Sequence, residues 1–272
     1  MRLTEADYTT IHYPAGETQV RLTQSGVEKI KSSREIQILS RIQSAQDVVN
    51  TSLLINSIYG LNSEIDIELI LPYLPYSRAD RRFCEGDCLG LGAFLGMLGY
   101  FDITTEGDLS IKTLDRHSNS VYVTKNIEPT LFITQAITDM MRKYGDITLV
   151  YPDAGAALRY TKLLPNYKFV HGSKVRDSLT GDLKGFSVPE FEGPGLIIDD
   201  ICDGGGTFIG VGNEIRRTNN SPLGLYVSHG IFSKGLIQLK EIFENIYCTN
   251  SYSTTPLDGV TVYDCETLLL DN

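Results

Sequence analysis

The stretch Leu196-Ile197-Ile198-Asp199-Asp200-Ile201-Cys202-Asp203-Gly204-Gly205-Gly206-Thr207 decides how this chain is read. The apolar run Gly195–Ile198 has the composition of a buried strand and delivers two adjacent carboxylates at its end. A glycine run and a threonine follow, then a helical pattern over Thr207–Arg217. Glycines let a backbone approach an anion closely, and successive N–H groups at a helix N-terminus stabilise it. Adjacent carboxylates repel a phosphate, so their natural partners are the two hydroxyls of a ribose or a hydrated Mg²⁺. The pattern therefore describes a ribose-phosphate cradle. Asp199 and Asp200 face the sugar diol, and Asp203, Gly204, Gly205, Gly206 and Thr207 surround the 5-phosphate. A plainer reading makes the glycines a tight turn and Asp203 a helix cap, but it leaves the acid pair unexplained. The loop is not a Walker A motif, because Gly-Lys-Ser/Thr is absent.

Working outward, the same strand-then-loop pattern recurs. Glu64–Leu71 and Asp146–Tyr151 read as strands, each stopped by a proline. Helical spacing marks Asp47–Tyr59, Leu89–Leu98, Leu131–Tyr144 and Lys234–Phe243. Alternating strands and helices predict parallel sheets flanked by helices, an α/β fold. Ligands of such sheets bind beyond the carboxyl ends of strands, so the polar loops at Ser77–Arg82, Asp153–Gly155 and Gly204–Gly206 are the expected site. A boundary near residue 127, at Lys125-Asn126-Ile127-Glu128-Pro129, gives an N-terminal domain over 1–127 and a C-terminal domain over 128–272. The last strand or tail is open to packing back on the first domain.

Composition narrows the partners. A net charge of −10 argues against a nucleic-acid or membrane-surface binder, which needs a basic field. An anionic substrate must then be held by local cations and backbone amides. The five cysteines, an odd count, fit free thiols and a reducing, cytoplasmic setting. Cys84 and Cys88 invite a zinc reading, but no second Cys/His pair follows at metal-site spacing. No apolar run is long enough to span a bilayer.

The glycine-loop segment resembles the phosphoribosyl-diphosphate-binding signature that type I phosphoribosyltransferases share with ribose-phosphate diphosphokinases. Other segments are similar to the diphosphokinase family alone. Leu71–Arg82 resembles its proline-tyrosine segment leading into an ATP-binding arginine loop, which implies ATP contacts from Arg78, Asp80 and Arg81. Thr113–Ser118 resembles its Asp-x-His stretch, so His117 is expected at ATP phosphate and metal. Tyr151–Arg159 resembles its proline-aspartate-glycine segment, which assigns Asp153 to metal and ribose. Lys174-Val175-Arg176 falls where the family carries a mobile catalytic Lys-x-Arg, and His229–Ser233 is similar to its histidine-phenylalanine-serine segment. His12–Glu17 stands where the family meets adenine across a subunit boundary, implying ATP contacts from Tyr13 and Glu17 and a homo-oligomer.

The resemblance implies two phosphoribosyltransferase-type (type I) domains, each a mainly parallel sheet flanked by helices, with ATP and ribose sites meeting at their cleft. It also implies Mg²⁺-dependent transfer of diphosphate from ATP to the C1 hydroxyl of a ribose 5-phosphate unit, releasing AMP. Lys174 and Arg176 would supply positive charge at the transferring group. Three positions depart from the family pattern: Ala15 replaces an acid, Ala79 a glutamine, and Gly204 a threonine whose hydroxyl would reach the 5-phosphate. The last departure opens ADP-ribose as an alternative acceptor, since it too presents a free C1 hydroxyl. Two further alternatives are a non-catalytic regulatory paralogue, which should have lost these cations and acids, and a phosphoribosyltransferase, which should lack the ATP-side segments.

Overall fold

A computed structural model describes residues 1–82, 84–99, 106–118, 125–176 and 183–271, with the backbone alone at 175, 176, 183 and 184. The chain divides into two compact units, Met1–Ile127 with Glu266–Asn272, and Glu128–Cys265.

In the first unit β1 (Arg2–Leu3) precedes a hairpin of β2 (Tyr8–His12) and β3 (Thr18–Leu22). Then come α1 (Gln24–Ser32), β4 (Glu35–Leu39), α2 (Ala45–Leu61), β5 (Asp66–Ile70), α3 (Gly90–Met97), β6 (Leu109–Leu114) and β7 (Lys125–Ile127). The sheet has the order β1-β4-β5-β6-β7, and every pairing in it is parallel. Helix α2 starts where Ser44 and Asp47 form a reciprocal capping box. The core beneath it is aliphatic, with Ile36, Ile58, Ile67, Leu69 and Ile111 fully buried. Burying such a side chain stabilises the fold by about 1.5–3 kcal/mol.

The second unit runs α4 (Thr130–Tyr144), β8 (Thr148–Tyr151), α5 (Ala154–Tyr160), β9 (Phe169–His171), β10 (Ser173–Arg176), β11 (Leu183–Ser187), β12 (Gly195–Cys202) and α6 (Gly206–Arg216). β13 (Leu223–Gly230), α7 (Ile237–Lys240), β14 (Asn245–Thr249) and β15 (Val260–Tyr263) complete it. Its sheet, β15-β14-β13-β12-β8-β9, is again parallel throughout, while β10 and β11 form a separate antiparallel hairpin. The central strands β12 and β13 are buried on both faces, as expected of a sheet covered by helices on each side. The two parallel sheets are the α/β arrangement that the sequence predicts.

The tail turns back on the first unit. In α8 (Glu266–Asp271), Glu266 pairs with Arg41 at 3.0 Å and the Leu269 carbonyl accepts from buried Lys112 at 3.2 Å. No helix among the described residues is long and apolar enough to cross a membrane.

Two expectations about elements need correction. The key strand does not stop at Ile198 but continues through Asp199 and Asp200 to Cys202. The helix expected over Lys234–Phe243 shrinks to Ile237–Lys240, because Ile231–Gly235 is drawn into a turn against the glycine loop and Gly235 takes φ +76°.

Candidate active site

Strand β12 lies between β8 and β13, and its carboxyl end leads into the glycine loop. Asp199 and Asp200 stand side by side near the end of this strand, and their carboxyls lie close enough to interact directly. Asp200 is buried, and its Oδ2 lies 3.0 Å from Nη1 of Arg159, which the last turn of α5 supplies. Asp199 is half-buried and its Oδ1 accepts from the Asp200 N–H at 3.0 Å. Desolvation, followed by repulsion from Asp200, holds the Asp199 carboxyl well above the usual carboxylate range. A carboxyl in that state gains from any hydroxyl donor or cation that approaches it. A sugar diol or a hydrated metal ion does so.

Beyond Cys202, Asp203 is exposed and Gly205 adopts the left-handed region at φ +76°. Gly205 is the N-cap of α6 and has no side chain of its own to cap the helix. The N-cap position expected at Asp203 therefore falls two residues later, and the Asp203 backbone carbonyl accepts from the Ser233 N–H at 3.1 Å. A helix start with a left-handed glycine at its N-cap presents amides to an anion. A Cβ at Gly206 would meet nothing within 4 Å, so the loop is open there, with Thr207 half-buried beside it.

Asp153 stands beyond the end of β8, the strand next to β12. Its Oδ1 caps α5 by accepting from Gly155 and Ala156, at 3.0 and 3.1 Å. Its Oδ2 lies 3.4 Å from Nζ of Lys174 on β10. The hairpin that carries Lys174 is fixed by its other strand. Phe186, paired with Lys174 across the ladder, packs on α6 at Gly210, where a Cβ would overlap its ring. Gly210 thus allows the close approach that sets the hairpin over the glycine-loop helix. Arg176 ends β10, and its side chain lies outside the described residues.

In the first unit, the segments read as ATP-binding follow the paired strands β5 and β6. Asp80 accepts from the Ser118 hydroxyl, which foremost lowers its pKa, and its Oδ1 lies 3.1 Å from Arg81 Nε. The Ser118 contact joins the loop of Arg78, Asp80 and Arg81 to the turn carrying half-buried His117. That turn begins at Asp115, buried and in the left-handed region at φ +41°. Arg78 and Arg81 are exposed. Tyr13 and Glu17 sit at the tip of the β2–β3 hairpin, where the Tyr13 N–H donates to the Glu17 carbonyl at 2.9 Å, and both side chains face solvent.

Among the described residues, no three His, Cys, Asp or Glu side chains converge on a common point that could hold a metal. His117 and Asp153, the residues expected at metal, lie in different units. Mg²⁺ is ordinarily held by one or two carboxylates together with substrate phosphates, without a complete protein cage. The oxygen donors of Asp153 and Asp199, on neighbouring strands, suit that mode. Two residues that pack at these loops were not read from the sequence: Arg159, which pairs with Asp200, and Lys234, whose stem lies over Gly204.

No family model matches the chain. It is 27% identical over 263 residues to a ribose-phosphate pyrophosphokinase of Pyrococcus furiosus, covering 92% of this chain and 87% of that one. It is 29% identical over 265 residues to the protein of the same name from Pyrococcus abyssi, covering 93% and 86%. Its fold matches the crystal structure of phosphoribosylpyrophosphate synthetase from Mycobacterium smegmatis with a TM-score of 0.76 at 19% identity, over 97% of this chain and 88% of that one. Across nine-tenths of its length, the chain is thus similar to these ribose-phosphate pyrophosphokinases.

Proposed function

We propose that this enzyme transfers the terminal diphosphate of ATP to the C1 hydroxyl of a ribose 5-phosphate unit, releasing AMP. The observation that carries this reading is the cradle itself. An adjacent acid pair on β12 leads into a left-handed glycine that is itself the N-cap of α6, and Lys174 is held beside the neighbouring loop. Asp199 and Asp200 orient the diol, and the amides of Gly204–Thr207 hold the 5-phosphate. The C1 oxygen then attacks the β-phosphorus as the bond to the AMP oxygen breaks. Lys174 and Arg176 place positive charge at the phosphoryl oxygens, and Arg78, Arg81 and His117 orient the triphosphate. Asp80, tied to Ser118 and Arg81, shapes that loop. Tyr13 and Glu17 serve the adenine end, in a homo-oligomer. Asp153 and His117 are the residues that would hold Mg²⁺ with ATP, and the ion would supply charge neutralisation.

ADP-ribose is a second acceptor reading, and one observation favours it. At position 204 there is no side chain to close the loop around a terminal monophosphate, and the neighbouring position 206 opens to free space. Room at 204 itself is smaller than the sequence implies, because the Lys234 stem occupies part of it. The loop thus has a nearby cation where a hydroxyl would stand, a change compatible with a 5-substituent that continues into a second phosphoryl group.

The test is AMP release from ATP and Mg²⁺ with ribose 5-phosphate or ADP-ribose as acceptor, alongside Lys174→Ala. AMP formation that depends on an acceptor and falls at least a hundredfold in Lys174→Ala is expected. Absence of AMP with both acceptors would favour a regulatory paralogue.

A further inference from the structure

We infer that Lys234 is an acceptor-recognising residue whose ammonium group binds the phosphoryl oxygens carried at the ribose 5 position. This inference rests on reading the glycine loop as the acceptor's cradle, and it adds a residue from a different loop. The segment after β13 is bonded directly to the loop after β12. Ile231 and Phe232 both donate to the Cys202 carbonyl, at 2.9 and 3.0 Å, and Ser233 donates to that of Asp203 at 3.1 Å. The turn closes with Gly235 donating to Phe232 at 2.8 Å.

Phe232 itself sits in the left-handed region at φ +49°, which a bulky side chain rarely adopts. Its ring is buried in the core under the loop, against Gly230, where a Cβ would overlap it. Backbone strain of this kind persists only when the surroundings fix it, and it clusters at functional sites. Here its product is the placement of Lys234.

From a Cβ built on Gly204, the Lys234 carbons lie at 3.7 Å (Cγ), 3.4 Å (Cδ) and 3.3 Å (Cε). The stem thus runs alongside the glycine, with Cε its nearest atom. With a C–N bond of about 1.5 Å, Nζ lies within roughly 5 Å of the point where a side chain at 204 would begin. Among the described residues, the exposed Lys234 has no hydrogen bond or ion pair. Gly204 and Lys234 are therefore a matched pair: a branched side chain at 204 would force the lysine away, and the lysine supplies the polar contact that the glycine cannot. In a chain of net charge −10, with Asp199, Asp200 and Asp203 beside the loop, such a local cation is what an incoming phosphate requires.

The experiment compares the wild-type chain with Lys234→Gln, which keeps the stem, and Lys234→Arg, which keeps the charge. Initial rates are taken against ribose 5-phosphate and ADP-ribose at saturating MgATP, with calorimetric titration of each acceptor in parallel. Loss of one charge-assisted contact should raise the acceptor KM and Kd of Lys234→Gln roughly 10- to 100-fold, leave the KM for ATP in place, and be largely rescued in Lys234→Arg. A greater loss with ADP-ribose than with ribose 5-phosphate would place the ammonium on a diphosphate, and an equal loss would place it on a single phosphoryl group. Unchanged acceptor KM and Kd in Lys234→Gln would overturn the inference while leaving the transfer reaction intact. Should the wild-type chain release no AMP with either acceptor, the proposed reaction falls, and the titrations alone still decide whether Lys234 binds the 5-phosphate.

Discussion

Replacing Arg159 by methionine probes the acid pair most informatively. The guanidinium lies 3.0 Å from Asp200, whose side chain is 6% exposed against 24% for the arginine. Methionine keeps much of the apolar stem, so the change isolates the charge. Breaking a fully buried pair costs about 3–5 kcal/mol because a charge is left without compensation. An exposed pair is worth about 0–1 kcal/mol. The exposure of Arg159 places this case between those limits, at about 2–3 kcal/mol. For a chain of this size that corresponds to a fall in Tm of roughly 5–10 °C. The same substitution should raise the acceptor KM, since two adjacent unpaired acids would share a proton and lose one acceptor for the diol. Differential scanning calorimetry on Arg159→Met, Asp200→Asn and the double variant gives the coupling directly. A coupling of about 2 kcal/mol, with the double variant more stable than Arg159→Met, is expected. Additivity within about 0.5 kcal/mol would refute the assignment of Arg159 as the counter-charge of Asp200.

Two other sites give independent checks. Lys112 is buried, with Nζ 2.7 Å from Glu68 and 3.2 Å from the Leu269 carbonyl, so Lys112→Met should destabilise the chain by about 3–5 kcal/mol in urea titration. Adding Glu68→Gln should restore most of that loss. On α4, burial would raise the Asp139 carboxyl, but Lys143, Tyr247 and Arg142 hold it down to about 2. A lowered folded pKa gives stability that is complete above the unfolded value near 3.8 and is lost as pH falls towards 2. The partly exposed cations limit the effect to about 1–2 kcal/mol. Tyr247→Phe, which removes a 2.6 Å hydrogen bond to Asp139, should flatten the decline in urea midpoint between about pH 4 and pH 2. An unaltered slope would assign the acid sensitivity elsewhere.

The parallel α/β fold was legible because its strands are short apolar runs that end in polar, glycine- or proline-marked loops. Even so, the end of β12 was misplaced. Two aspartates look like a strand terminus in sequence, whereas Asp200 is accommodated inside the strand by Arg159 from a helix forty residues earlier. Such a partner is invisible to local pattern. The helix at Lys234–Phe243 was over-extended for a related reason. Its apolar spacing is helical, but the Ile231–Ser233 amides are already engaged by the Cys202 and Asp203 carbonyls. The antiparallel β10–β11 hairpin escaped notice because its short strands, Ser173–Arg176 and Leu183–Ser187, lack the apolar runs that mark the two sheets.

The site shows the same division. The glycine loop, Asp153 and Lys174 could be singled out from motif and resemblance, because their chemistry is written in contiguous residues. Lys234 and Arg159 could not, since each acts through a contact made only when separate elements pack. Gly210 belongs with them: its value lies in the approach of Phe186, a residue on another strand.

The central claim is that the C1 hydroxyl attacks the β-phosphorus of ATP. Ribose 5-phosphate or ADP-ribose labelled with ¹⁸O at C1, incubated with MgATP and the enzyme, tests it directly by ³¹P NMR and mass spectrometry of the products. The account predicts unlabelled AMP, with the label retained as the bridging oxygen of a new C1 diphosphate. Release of AMP with free diphosphate and unaltered acceptor, or a label recovered in AMP, would contradict it.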